Sequence, residues 1–359
     1  MPDDSVTPQA VLGPLTTSAV FLVVTVDDGG EQAARELLTD LPGLCRAVGF
    51  RSMHGELSCV AGIGAAAWPR LFDGPAPAEL HPLPVFLGAR HRTVSTPGDL
   101  LFHLRANRQD LCFELETQIM ERLRGSVTVA DEVPAFRYFD ARDVLGFVDG
   151  TENPTGRAAS EAVLLDGAGD PAFAGGSYVV VQKYLHDMAA WNALPTEAQE
   201  LVIGRRKLSD VELGPDEQPE DSHVARATIT DPDGTEREIL RDNMPFGSPA
   251  GDEFGTYFIG YGRTPSVVET MLSSMFVGDP PGSHDRILDF STPVTGCLFF
   301  APSADFLDDL PPAPPAVSEP VPEAVSDAVS DAAGPSEAAG QEPAPEAPAG
   351  ASLGIGGLR

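Results

Sequence analysis

Short apolar runs alternate with amphipathic stretches along the first 310 residues. The apolar runs are rich in β-branched residues, which is typical of buried strands, and the amphipathic stretches repeat their apolar positions with a helical period. This pattern predicts strands at residues 19–26, 57–63, 99–105, 177–184, 256–261 and 297–300. It predicts helices at residues 31–39, 108–123, 196–206 and 266–276, the third with Thr196 as its N-cap.

Two of the predicted strand–helix pairs share one pattern. Residues 99–123 and 255–278 each contain a strand, a short polar turn and an amphipathic helix. A repeated unit of this kind indicates an internal duplication, and such units bury their apolar faces by packing helices against an antiparallel sheet. We therefore predict an α+β fold of two related βαβ-type halves, with antiparallel sheets and peripheral helices.

The composition changes at Pro311. Residues 311–350 contain ten prolines and seven acidic residues, with no basic and no aromatic residue. A segment of this composition cannot bury enough apolar surface to offset its ordering entropy, so we interpret residues 311–351 as a disordered linker. The final residues 352–359 (SLGIGGLR) are apolar again. A linker that ends in an apolar peptide indicates a docking tether, and the alternative is an apolar terminus without a function.

The chain is strongly acidic, with 54 Asp and Glu against 23 Lys and Arg and a formal net charge of −31. Such a charge disfavours nucleic acid and anionic membranes as partners. The sequence contains no apolar run long enough to span a bilayer, and its first residues show neither a basic region nor a twin-arginine pair, so we expect a cytoplasmic protein. The four cysteines form no CxxC pair, which argues against zinc ribbons, iron–sulfur clusters and covalently attached haem.

Two segments could carry chemistry through loops. In GFVDGTENP, residues 146–154, two glycines flank Asp149, so the backbone could lie close to a flat or charged ligand while presenting one carboxylate. An ordinary surface turn explains the same residues equally well. In SHVAR, residues 222–226, His223 opens an alternating stretch and could project from the end of a strand. A single histidine is more often structural than a ligand.

Two further segments lie downstream. RDNMPFG, residues 241–247, follows a DPDGT turn that would close a hairpin starting at His223. Arg241 and Asn243 share one face if this segment is extended. HDRILDF, residues 284–290, contains Asp285 and Asp289 four residues apart, for which exposed turn positions are the default interpretation.

The order and spacing of these four segments resemble the dye-decolourising peroxidase family. The most diagnostic element is the GxxDG loop at residues 146–150, and the short loops are similar to those of the compact bacterial subgroup. The resemblance covers about residues 15–305. It implies two ferredoxin-like halves, residues 15–145 and 146–310, that hold haem b between them, after a flexible N-terminus at residues 1–14.

The resemblance also implies roles for individual residues. His223 would be the proximal iron ligand, and Asp285, or alternatively Asp289, would hold its other ring nitrogen. On the distal side, Asp149 would accept and return a peroxide proton while Arg241 stabilises the developing charge, and which of the two dominates stays open.

The remaining site residues implied by the family surround these. Asn243 would support peroxide or water through hydrogen bonds. The haem edge and a propionate would be contacted by Gly150, Thr151, Glu152 and Arg205.

The C-terminal peptide is similar to the cargo-loading peptides that dock enzymes inside encapsulin shells. Leu353, Ile355 and Leu358 would fill apolar pockets of the shell protein. The resemblances together imply a haem peroxidase that reduces hydrogen peroxide, oxidises dyes, phenols or other one-electron donors, forms dimers or hexamers and resides in an encapsulin compartment of the cytoplasm. The alternatives are a non-catalytic haem-handling protein on the same fold, which needs only His223 and the pocket, and a structural cargo protein without a cofactor.

Overall fold

The described residues form two halves with the same strand order. A computed structural model describes residues 6–52, 54–150 and 153–315. Thr151 and Glu152 lie outside the described residues, and so do Leu353, Ile355 and Leu358 of the C-terminal peptide.

The N-terminal half is a four-stranded antiparallel sheet in the order β4-β1-β3-β2. This is the order of a ferredoxin-like unit, in which two strand–helix–strand connections interleave. Its elements are β1 (Ser18–Val26), α1 (Glu31–Gly49), β2 (Ser58–Gly64), α2 (Trp68–Leu71), β3 (Leu100–Ala106), α3 (Gln109–Arg122) and β4 (Val127–Phe136).

The C-terminal half repeats this order as β12-β5-β10, followed by β8 and β9. These two short strands pair with successive stretches of β10 and together take the place of one edge strand. The residues 99–123 and 255–278 therefore occupy equivalent places, and the predicted duplication is confirmed. The elements are α4 (Gly156–Val163), β5 (Ser177–His186), α5 (Met188–Asn192), α6 (Thr196–Ile203), α7 (His223–Ala227), β6 (Ile229–Thr230), β7 (Glu236–Arg237), β8 (Leu240–Arg241), β9 (Met244–Ser248), β10 (Glu253–Gly262), α8 (Ser266–Phe276), β11 (Ser291–Pro293), β12 (Cys297–Ala301) and α9 (Ala304–Asp308).

One short seam joins the two halves into a continuous ten-stranded sheet. Strand β12 pairs with β5 of its own half and with β2 of the other half, where Phe299 lies opposite Gly64 and Phe300 opposite Ile63. The far edge strands, β4 and β9, contact each other as well. The sheet therefore curls so that one of its faces is enclosed.

Both faces of β1 are buried as a result. Val20, Leu22 and Val24 pack in the core that includes the apolar face of α1, whereas Phe21 and Val23 pack in a second core inside the curl. In that inner core the ring of Phe21 stacks on Tyr257 of the opposite half at 4.1 Å between centroids. The predicted strands and helices all exist, and β1, β3 and β5 run as nearly continuous apolar segments because no face is left to solvent.

Three local predictions were wrong. Helix α1 continues through Pro42 to Gly49. Helix α6 is capped by Pro195 rather than Thr196, and it ends at Gly204 in a left-handed conformation with φ of 96°. The hairpin around the DPDGT turn starts at Ile229 and not at His223.

Strand β4 was missed, because Asp131, Glu132 and Pro134 interrupt its apolar positions and most of its residues are exposed. Within the described part of the chain, every helix is too short or too polar to cross a membrane.

Candidate active site

Four of the predicted site residues line one cavity in the C-terminal half. Asp149, His223, Arg241 and Asn243 face an empty volume of about 970 Å³. This volume includes the space at the cavity mouth that is open to solvent. The rest of the wall is largely apolar and comes from β10, α8 and the neighbouring loops: Leu145, Phe147, Phe258, Val268, Met271, Leu272, Met275 and Ile287.

His223 is the first residue of α7 rather than the end of a strand, so the predicted extended segment is wrong at this point. The physical reason is the residue before it. The hydroxyl oxygen of Ser222 accepts a hydrogen bond from the backbone N–H of Ala225 at 3.4 Å, which caps the helix and starts it at His223.

A buried carboxylate holds His223 from behind. The Nδ1 atom of His223 lies 2.7 Å from Oδ2 of Asp285, which is fully buried. The other oxygen of Asp285 accepts the backbone N–H of Ile287 at 2.9 Å, and the Asp285 backbone N–H donates to Met275. Asp289, the alternative partner, contacts His91 and His284 instead.

The Asp285 contact decides which ring nitrogen of His223 can bind a metal. Burial alone lowers the pKa of His223, but the negative charge and hydrogen bond of Asp285 outweigh burial and raise the pKa above its ordinary value. With the Nδ1 proton directed at the carboxylate, the lone pair of the neutral ring is on Nε2. This is the tautomer that metal-ligating histidines use.

On the loop side of the cavity, hydrogen bonds orient Asp149. The side-chain N–H of Asn243 donates to Oδ2 of Asp149 at 3.1 Å, and Oδ1 of Asn243 accepts the backbone N–H of Ile259 at 3.1 Å. Because Ile259 belongs to β10, the sheet fixes Asn243, and Asn243 in turn fixes the carboxylate. Gly146 and Gly150 flank the loop at φ of 93° and 83°, values that residues with a Cβ rarely adopt.

Asn153 joins this loop to the strand that carries Arg241. Its Oδ1 accepts the Arg241 backbone N–H at 2.9 Å, and its Nδ2 donates to the Arg241 carbonyl at 2.6 Å. The amide of Asn153 therefore bonds both backbone groups of Arg241, as the backbone of a neighbouring strand would. The sequence analysis did not identify Asn153 as a site residue, although its place in the Asn-Pro turn after the GxxDG loop was the available signal.

A second cavity, with an empty volume of about 980 Å³, adjoins the first and shares Asp149, His223 and Arg241 with it. Gly150 and Arg205 lie in its wall. The guanidinium of Arg205 donates to the Asp210 carbonyl at 2.8 Å and lies 3.6 Å from Glu212. Asp210 and Glu212 are thus two of the neighbours that the Arg205 guanidinium contacts.

The cavity also contains polar residues that the sequence analysis missed. Burial raises the pKa of Asp143 to about 7. Burial lowers the pKa of His186 to about 4, and the ring of His186 contacts the hydroxyls of Ser291 at 2.8 Å and Thr256 at 3.0 Å. No local motif marks either residue, because each reaches the cavity only through the tertiary fold.

The arrangement combines two different functional groups around one cavity. The imidazole of His223 offers a metal-binding nitrogen whose orientation is set by a buried carboxylate. Asp149, Arg241 and Asn243 offer a proton acceptor, a permanent positive charge and an amide. Together with the apolar wall, this donor set fits a large, mainly apolar metal cofactor that carries out proton-coupled chemistry on a small polar substrate.

Comparisons with known proteins agree with this assignment. Two family models match the chain, the N-terminal part of Dyp-type peroxidases at residues 8–137 and the C-terminal part at residues 140–306. A dye-decolorizing peroxidase of Mycolicibacterium paratuberculosis is 60% identical over 86% of this chain and 87% of that protein. A dye-decolorizing peroxidase of Brevibacterium linens is 53% identical over 98% of this chain and 96% of that protein.

Two solved structures are also similar. The encapsulated DyP-type peroxidase from Mycobacterium smegmatis superposes with a TM-score of 0.84 and 58% identity over 86% of this chain and 100% of that chain. A variant of DypB from Rhodococcus jostii RHA1 in complex with heme superposes with a TM-score of 0.82 and 55% identity over 84% of this chain and 97% of that chain.

Proposed function

This chain belongs to the Dyp-type peroxidase family, from which we infer that it is a haem-dependent peroxidase that reduces hydrogen peroxide and oxidises dyes, phenols or other one-electron donors. One observation carries the inference for this molecule in particular. A carboxylate-backed imidazole and an Asp–Arg–Asn group face the same cavity.

We propose that His223 would hold the iron of haem b through Nε2. Its Nδ1 is occupied by Asp285, and within the described residues Nε2 has no hydrogen-bond partner. The apolar wall suits the porphyrin faces. Gly150, Thr151, Glu152 and Arg205 are proposed to contact the haem edge. When bound, the haem iron supplies the redox chemistry of peroxide reduction.

Asp149 and Arg241 are the proposed catalytic residues, with Asn243 as their support. Peroxide must lose a proton from one oxygen and gain one on the oxygen that leaves as water. Asp149 can perform both transfers, and because Asn243 donates to its Oδ2, we propose that Oδ1 receives the proton. The positive guanidinium of Arg241 would stabilise the negative charge that develops as the O–O bond breaks.

Substitution of Arg241 distinguishes catalysis from non-catalytic haem handling. Arg241→Leu should retain haem and slow the Soret change after mixing with hydrogen peroxide by about 10²-fold, as expected for losing a preorganised charge. Arg157→Leu is the control, since its guanidinium lies on the surface in an ion pair with Glu161. A wild-type rate in Arg241→Leu would rule out this role, and a wild-type protein that does not respond to peroxide would favour the haem-handling alternative.

We further propose that the chain is cargo of an encapsulin shell in the cytoplasm. The supporting facts are the encapsulated relative from Mycobacterium smegmatis and the Brevibacterium linens relative, whose match of 98% of this chain extends into the acidic segment. The linker would span roughly 35 Å as a random coil, enough to hold a dimer or hexamer away from the shell wall. Leu353, Ile355 and Leu358 would be the docking side chains.

Co-expression with a shell protein tests the tether. Replacing Leu353, Ile355 and Leu358 together by Ser should abolish co-purification and leave haem content and turnover unchanged, because none of the three is among the residues that line the proposed haem cavity. Arg359→Ala is the matched control and should load normally. Wild-type loading of the triple variant would mean that the folded part docks instead.

A further inference from the structure

Two histidines and an aspartate meet outside the catalytic cavity. The Nε2 atoms of His91 and His284 each lie 3.1 Å from the same oxygen, Oδ1 of Asp289. All three potential ligand atoms lie within 4.8 Å of one another, and the imidazole centroids are 4.7 Å apart. Within the described part of the chain, this is the one group of three His, Cys, Asp or Glu side chains that meets the geometry of a metal site.

We propose that His91, His284 and Asp289 bind a divalent transition metal of the zinc type. Zinc binds imidazole nitrogen and carboxylate oxygen at about 2.0–2.2 Å, so neighbouring ligand atoms in a tetrahedral coordination shell are separated by about 3.3–3.6 Å. Two of the three separations in the cluster, at 3.1 Å, are close to this length. The third, between the two Nε2 atoms, is at most 4.8 Å.

The chemistry of the cluster favours zinc over magnesium or calcium, which prefer sites made only of oxygen ligands. Asp289 is exposed, so a water molecule can complete the coordination. Arg90 lies 3.9 Å from the same carboxylate oxygen, and since its side chain is 68% exposed, it can move into solvent when a cation binds.

The position of the cluster gives such a metal a structural effect. His91 lies in a tight turn of the N-terminal half, bracketed by the Leu87–Arg92 bridge. In the C-terminal half, His284 precedes the short 3-10 helix Arg286–Asp289, and Asp289 is the last residue of that helix. The N-cap of the helix is Asp285, the partner of His223. A bound metal would therefore tie the two halves together beside the segment that positions His223. This inference does not depend on the proposed peroxidase function.

Zinc titration of the haem-loaded protein, prepared without a polyhistidine tag, tests the site. Isothermal calorimetry should show one strong Zn²⁺ site per chain, and X-ray absorption at the zinc edge should show two imidazoles and oxygen ligands. His91→Ala and Asp289→Asn should each weaken binding at least 30-fold. His54→Ala removes an exposed histidine elsewhere and should bind zinc like the wild type.

Two results would overturn the proposal. One is the absence of a saturable zinc site in the wild type, and the other is wild-type affinity in both His91→Ala and Asp289→Asn. Haem content and circular dichroism verify that each variant is folded. Asp289→Asn keeps the side-chain volume, so it decides the question if His91→Ala is unstable.

Discussion

The two halves of the sheet have the same strand order but cover their strands differently. In the N-terminal half, the first and second strands are connected through α1, a continuous helix of 19 residues whose apolar face is buried. In the C-terminal half, the corresponding connection is broken into α5, α6 and α7, none longer than eight residues. Three short helices cannot fill the space that one long helix fills, and the cavity lies where the filling is missing.

The broken connection also brings the functional groups to the cavity. His223 begins α7, and Arg241 follows the small hairpin of β6 and β7. A single continuous helix would have no internal helix end or loop beside the sheet from which either residue could reach the cavity. The comparison indicates that the C-terminal half has a binding cavity where the N-terminal half has a packed core.

The largest effect is expected on haem binding, from a substitution in the C-terminal half. His223→Ala should lose most bound haem, because it removes the nitrogen that Asp285 orients toward the cavity. The ratio of Soret to protein absorbance measures this loss. His54→Ala, an exposed histidine of the N-terminal half, should keep its haem. Unchanged haem content in His223→Ala would exclude it as the axial ligand.

A matched pair of leucines tests the packing difference. Leu38 of α1 and Leu272 of α8 are both buried, at 0% and 3% exposure, but only Leu272 borders the cavity. Leu38→Ala should lower the free energy of unfolding by about 2–5 kcal/mol. Leu272→Ala should cost less, because its side chain has fewer neighbours to lose. Urea unfolding of the haem-free variants measures both, and equal losses would contradict the comparison.

A smaller effect is expected in the pH dependence of stability. Burial lowers the pKa of His186 to about 4, below the ordinary value of 6.5, so the unfolded chain binds the proton first as the pH falls. The contribution of His186 to the free energy of unfolding should therefore be full above pH 6.5 and decline toward pH 4, by up to roughly 3 kcal/mol. His186→Gln should flatten this decline, and His54→Gln should not. Urea unfolding across this pH range would contradict the prediction if His186→Gln followed the wild-type curve.

The sequence was most informative where the signal is local. Apolar runs predicted the strands of both halves, and the equivalence of residues 99–123 with 255–278 was visible as a pattern. Strand β4 escaped prediction because two acidic residues and Pro134 interrupt its apolar positions and most of its residues are exposed. The start of α7 was misread, although the Ser222 cap that determines it is itself a local signal.

The contacts that position the site were not available from the sequence. Asp285 and Asp289 are the same residue type within one short segment, so the sequence does not distinguish them. Only the tertiary fold directs Asp285 to His223 and Asp289 to His91 and His284. Asn153 is another example, since its two amide atoms bond the backbone of a residue 88 positions away. A pattern of residue types carries no information about which side chain faces which partner over such separations.

The seam between the halves constrains the order in which the nascent chain can fold. Strand β12 (Cys297–Ala301) is the last strand among the described residues, yet it lies in the middle of the sheet and is the partner of β2. During synthesis, the N-terminal half emerges first with the β2 edge unpaired, and an unpaired edge is a place where chains associate wrongly. The ribosome must add more than 230 further residues after Gly64 before β12 can cover that edge. Nascent chains of this protein should therefore be most prone to aggregation in that interval.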